Sequence, residues 1–159
     1  MAAVEFAFVI PILILLAAGI AEIGRAMVFY NSVNQLAAQY ASAWADCQDT
    51  ASSCSTELGY YTSTYSIQNI APNLSVANLT LKMADVTMTG TTPTVVYCYP
   101  STTLTAVEST AAQANFSSGQ TGVIVYVSYT YSLAYFPSYM SSAMANALTA
   151  TYTVTQIKN

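Results

Sequence analysis
Met1-Ala-Ala-Val-Glu5-Phe-Ala-Phe-Val-Ile-Pro11 opens a run that carries no charge between Glu5 and Glu22. The sixteen residues between these acids are mostly Ala, Ile, Leu, Phe and Val, which predicts an apolar helix. Residues 1–21, at about 1.5 Å each, reach roughly 31 Å, enough to cross bilayer hydrocarbon. One carboxylate is stranded near the start of that rod. A charged side chain at bilayer depth costs roughly 2.5 to 3.5 kcal/mol even on lenient insertion scales, so Glu5 calls for a partner. Arg25 lies about five and a half turns farther on. The nearest positive group is therefore the α-ammonium of Met1, if that residue is a free terminus.

A secretory signal would begin with basic residues, and here an acid stands at position five, so a removable signal is not the reading. Pro11 has no N–H to give the Ala7 carbonyl, and a kink or loosened turn is expected there. Gly19 and Gly24 leave flat patches where another helix can approach, or are merely tolerated. Glu22 and Arg25, at i and i+3 with the acid first, form a helical ion pair, either desolvated against a neighbour or solvated and weak. Beyond them Met27, Val28, Tyr30, Val33, Leu36, Ala37, Tyr40, Ala41 and Trp44 recur at helical spacing. That stripe predicts a helix to about residue 45 whose second half carries a packed domain.

Charged residues make up only 6% of the 159-residue chain, against about a quarter in an ordinary globular protein. Seven acids face three bases with no basic cluster, so phosphate neutralisation has little to work with and no nucleic acid partner is indicated. The absence of histidine removes the commonest general base and metal ligand. Neither a nucleophile elbow nor a phosphate-cradling glycine loop is present, and the remaining acids have no metal-loop spacing. No catalytic residue, metal or cofactor is called for, and an enzyme is not expected.

From Asp46 to Thr64 the chain is Ser, Thr, Asp and Gly without period, a surface loop. Strand-like alternation begins at Val76: Val76, Asn78, Thr80 and Lys82 point one way, Ala77, Leu79, Leu81 and Met83 the other. Thr94 to Tyr99 forms a second run between Pro93 and Pro100, and a short helix is placed around Val107 to Ala114. Val123, Val125, Val127, Tyr129, Tyr131 and Leu133 share one face of the best strand, and Leu148 to Ile157 supplies the last. The fold class is α+β: a long N-terminal apolar helix (1–45), then a β-rich domain (46–159) whose small antiparallel sheet lays one face on the helix's C-terminal half.

The start of the chain resembles mature type IV pilins and pseudopilins after a prepilin peptidase has removed a short leader. Ala3-Val4-Glu5-Phe6-Ala7-Phe8-Val9-Ile10-Pro11, followed by Gly19-Ile20-Ala21-Glu22-Ile23-Gly24-Arg25, resembles more specifically the TadE-like proteins of tight-adherence (Flp-type) pilus systems. The likeness covers about the first 45 residues, with a weaker echo in Val123–Tyr135 and Leu148–Val154. The middle, from about Asp46 to Thr121, matches no family.

The resemblance implies a homo-oligomeric helical filament with a core of these helices, a prepilin peptidase and an assembly platform as partners, and residence in the membrane before assembly. Glu5 would then meet the Met1 ammonium of a neighbour, and Pro11, Gly19, Glu22, Gly24 and Arg25 would lie in subunit contacts. A minor pseudopilin and a monomeric, membrane-anchored binding module remain open as alternatives.

Three cysteines in a Ser/Thr/Tyr-rich chain suit an oxidising compartment and admit one disulfide. Cys47 and Cys54 would close the loop leaving the helix. Cys98, in strand-like Val95-Val-Tyr-Cys98-Tyr99, is an alternative partner for either, or a buried free thiol. Asn-x-Ser/Thr occurs at Asn73, Asn78 and Asn115, each a candidate glycosylation acceptor. The thirteen tyrosines combine apolar area with a polar tip and fit both cores and subunit contacts.

Overall fold
The computed structural model describes residues 2–47, 54, 56, 64–100, 103–135 and 149–158, with side chains of the first helix from Phe8 onward. Met1 and most of the predicted loop from Asp46 to Thr64 lie outside the described residues, as does the side chain of Glu5.

Helix α1 runs from Ala2 to Ala45 and passes through Pro11. Its 44 residues make a rod about 66 Å long. Only the second half is packed. Val33, Leu36, Ala37, Tyr40, Ala41 and Trp44 are buried at helical spacing, as the sequence predicts. The first turns of that stripe are a correction. Met27, Val28 and Tyr30 are exposed, and Ala26 and Phe29 pack against the core in their place. Residues 26–30 are apolar all round, so periodicity cannot choose the buried side there; Phe29 is chosen because its ring lies 5.3 Å from that of Tyr129 and 5.0 Å from that of Tyr131.

A short helix, α2 (Thr64–Ile70), follows and buries Ile67 in the same core. The strand expected from Val76 begins instead with a 3₁₀ turn at Val76–Asn78, and β1 spans Leu79–Thr89. Strands β2 (Thr92–Tyr99), β3 (Thr121–Thr130) and β4 (Thr149–Ile157) complete an antiparallel sheet of order β2-β1-β3-β4. Thr89 pairs with Thr92 across a two-residue turn, and Gly90, at φ 64, supplies the left-handed first position that a hairpin of this length favours. Pro93 is accommodated because β2 is an edge strand.

Alternation sorts the sheet's faces. Leu81, Met83, Val123, Val125, Val127 and Tyr129 join the α1 core, as the sequence predicts, and Ala150, Tyr152 and Val154 of β4 lean on its margin. The opposite face is covered too. Helix α3 (Ala106–Asn115), close to its predicted position, caps a second core of Ala84, Val86, Met88, Ala112, Phe116 and Ile124. At the head of α3, Glu108 reaches back to accept the Thr105 backbone N–H at 2.6 Å, which fixes the helix start.

One polar pair ties the chain's last described residue into the sheet. Asp85 is buried at the middle of β1, and Lys158, just past β4, donates to its Oδ2 at 3.2 Å. Its Oδ1 and the Trp44 Nε1 are buried without a partner among the described residues.

In the second core Gly122 permits a close approach. A Cβ at this position would lie 2.3 Å from the Phe116 ring, which is itself packed under α3. Gly122→Ala therefore overpacks a filled site, and the expected loss is about 1–3 kcal/mol of folding free energy. Denaturant unfolding checks this, with Phe116→Leu in the same chain expected to recover part of the loss.

Candidate functional site
Among the described residues no layer covers α1 from Phe8 to Ile20. Phe8, Val9, Ile10, Ile12, Leu13, Ile14, Leu15, Leu16, Ile20 and Ile23 are all exposed. Soluble monomers rarely leave contiguous apolar surface on this scale uncovered. From Phe8 onward the helix is long and apolar enough to cross a membrane. A Cβ built at Gly19 or Gly24 would meet nothing within 4 Å, so both glycines sit on open faces of the helix. Pro11 lies within the exposed half.

Where the bare half ends, one carboxylate joins helix to domain. Glu22 is 5% exposed. Its Oε1 accepts the backbone N–H groups of Ala134 and Tyr135, each at 2.6 Å, and its Oε2 accepts the Tyr131 hydroxyl. Arg25 adds a contact to Oε2 at 3.5 Å, the pair expected from the i, i+3 spacing. The guanidinium also stands over two rings, 5.4 Å from the Tyr131 centroid and 5.7 Å from that of Tyr135.

Three donors from residues 131–135 and a half-exposed cation thus satisfy the acid, and charge-assisted bonds of this kind are about twice as strong as neutral ones. The arrangement clamps the segment after β3 onto α1, about two turns before Phe29 enters the core. Nothing in the sequence announced it. The partners stand 109 to 113 positions from Glu22, and no local pattern links them.

Cys47 and Cys54 are joined in a disulfide just past the end of α1. Cys98 is a free thiol. It packs against the α3 core, whereas Cys47 and Cys54 belong to the α1 core, so the sheet separates it from both and its alternative pairing does not occur. Burial, and after it the negative charge of Glu108, pushes the Cys98 thiol above its ordinary pKa. Asn73, Asn78 and Asn115 are all exposed, and the Asn115 side chain donates to the Ala111 carbonyl at 2.8 Å. Among the described residues no three His, Cys, Asp or Glu side chains gather as metal ligands.

The bare apolar rod ending in a buried acid is the region that comparison with known proteins recognises. Residues 1–42 match the TadE-like protein family. The match stops within α1 and includes Glu5, Pro11, Gly19, Glu22, Gly24 and Arg25, while the sheet lies beyond it. No curated protein and no solved structure matches the chain.

Two measurements probe this region. Tyr131→Phe keeps the ring under Arg25 but leaves a buried carboxylate one donor short, with an expected cost of about 1.5–3 kcal/mol. Denaturant unfolding of the full chain in detergent reads the loss, and unfolding equal to that of the parent would show the hydroxyl to be idle. For Cys98, a smaller thiolate fraction means slow alkylation. At neutral pH the folded protein is expected to react with iodoacetamide at this cysteine alone, and more slowly than an unstructured cysteine peptide does.

Proposed function
We propose that the chain is a structural subunit of a tight-adherence-type pilus, which waits in the membrane through α1 and then polymerises through that helix into a fibre on the cell surface. The observation that carries this reading is the exposed rod from Phe8 to Ile20, which ends where the Glu22 clamp fastens the domain to the helix. In lipid the rod is solvated by acyl chains. In a fibre, neighbouring rods replace them at similar apolarity, so close packing and polar pairing decide the exchange. Gly19 and Gly24 offer the close approach. Glu5 supplies the polar pairing, taking the Met1 amine of a neighbouring copy as the pilin resemblance implies.

On this reading the α+β domain coats the fibre and serves surface attachment, with its exposed asparagines at Asn73, Asn78 and Asn115 on the outside. A prepilin peptidase and an assembly platform are the partners, and the role is structural and not catalytic. The TadE-like match also favours a second version, in which the chain is a minor pseudopilin placed in a fibre built mainly of another subunit. A monomeric membrane-anchored binding module would leave the rod in lipid throughout.

Glu5→Ala separates these. The variant is expected to stay in the membrane fraction at parental level while sheared surface material, viewed by electron microscopy, loses its filaments. Filaments of normal number from Glu5→Ala would overturn the pairing mechanism. Parental filaments that contain this chain only as a trace component would select the minor-subunit version.

A further inference from the structure
Helix α1 and the turn at Pro72–Asn73 border an open groove of about 450 Å³, lined by Ala21, Gly24, Arg25, Val28, Phe29 and Asn73. Ala21, Gly24 and Val28 recur every three or four residues and give it a small, apolar floor on one helix face. Its polar members are a cation and an amide. Arg25 carries five N–H donors, yet among the described residues its hydrogen-bond partner is Glu22 Oε2, at 3.5 Å. Charge-assisted contacts of this type are ordinarily about 2.7–2.9 Å, and Glu22 already takes three other donors. The guanidinium is thus loosely held, and its side chain is 37% exposed. The two other bases are engaged elsewhere: Lys158 pairs with Asp85, and Lys82 stands over the Tyr126 ring.

The height of the groove points to its ligand. The uncharged run of α1 ends at Ala21. Arg25 stands four residues, about 6 Å, beyond it, inside a headgroup layer about 5–8 Å deep on each side of the hydrocarbon. Tyr135, 61% exposed and 5.7 Å from the guanidinium, is the kind of side chain that collects at this level. Toward the hydrocarbon, Ile20 and Leu16 continue from Gly24 at helical spacing, and both are exposed.

We infer that in the membrane this groove holds a phospholipid, its phosphodiester on Arg25 and Asn73 and its acyl chains running along α1 past Ile20 and Leu16. The inference rests on the membrane residence proposed above and not on filament formation. An arginine fork matches two phosphate oxygens, and the Asn73 amide supplies a further donor. A free phosphate would meet this one cation beside the Glu22 carboxylate, with no apolar part to bury. A lipid adds that burial.

Native mass spectrometry of the full chain, released from mild detergent, tests the site. The parent is expected to retain phosphatidylglycerol about ten-fold better than diacylglycerol of the same chains or inorganic phosphate, the worth of a charge-assisted bond or two. Gly24→Leu fills the groove from a position where a Cβ meets nothing within 4 Å, and is expected to lose the lipid. Asn73→Ala, at an exposed position, is expected to lower its occupancy several-fold. Denaturant unfolding in detergent, expected at the parental midpoint for both, checks that the fold is kept. Equal retention of diacylglycerol would leave the phosphate no role, and equal retention of inorganic phosphate would make this a small-anion site. Parental occupancy in folded Gly24→Leu would put the lipid elsewhere; should that variant unfold, parental occupancy in Asn73→Ala decides the same way. Each of these overturns the inference. A parent that stays in buffer when offered phosphatidylglycerol vesicles would overturn membrane residence itself.

Discussion
The buried carboxylate of Glu22 is the constraint on which the architecture turns. An acid at 5% exposure is tolerable only because two backbone N–H groups, a phenol and an arginine converge on it. Their convergence fixes where the sheet domain sits on a helix that is otherwise free to slide against an apolar surface. Eleven residues farther on, the aliphatic and aromatic core from Val33 to Trp44 supplies most of the adhesion. Dispersion and burial are non-directional, so the core alone does not select a register along the rod. The acid does.

Below that point the helix is bare, and above it the helix is a core element of a three-layer domain. One continuous α-helix thus carries two kinds of surface, one exposed and apolar and one packed. This division explains a composition that looks wrong for a water-soluble chain, with 6% charged residues and a large apolar fraction. The apolar surplus is concentrated in the first half of α1. The domain's own surface is made acceptable to water by Ser, Thr, Asn and Tyr, which hydrate without charge.

Much of this was legible in the sequence where local period and burial agree. The valines of β3 alternate cleanly because that strand is central and its α1 face lies on the helix. Helix α3 lies within a residue of its predicted bounds at each end, and the capping pair Thr105 and Glu108 fixes its start. Other features were hidden for physical reasons. Continuous apolarity at residues 26–30 concealed which side of α1 is buried. Ala84, Val86 and Met88 follow Thr80 and Lys82 on the same face of β1, so the polar start of that face concealed the second layer over its far end. The β-branched and aromatic residues of α2 speak against a helix, and tertiary burial of Ile67 overrides them. The Glu22 clamp is a contact between segments more than a hundred positions apart, created only when the sheet lands on the rod.

The Cys47–Cys54 bridge gives the long helix unequal ends. Helices unravel from their termini, where backbone groups lack intrahelical partners. At Ala45 that process is opposed by the covalent ring immediately downstream and by the buried Trp44. Toward the other terminus the described residues supply no such brace, and Pro11 removes a rung close to it. Thermal loosening is thereby directed to the bare end of the rod, so that the exposed segment is also the part of the helix most able to adjust its pitch.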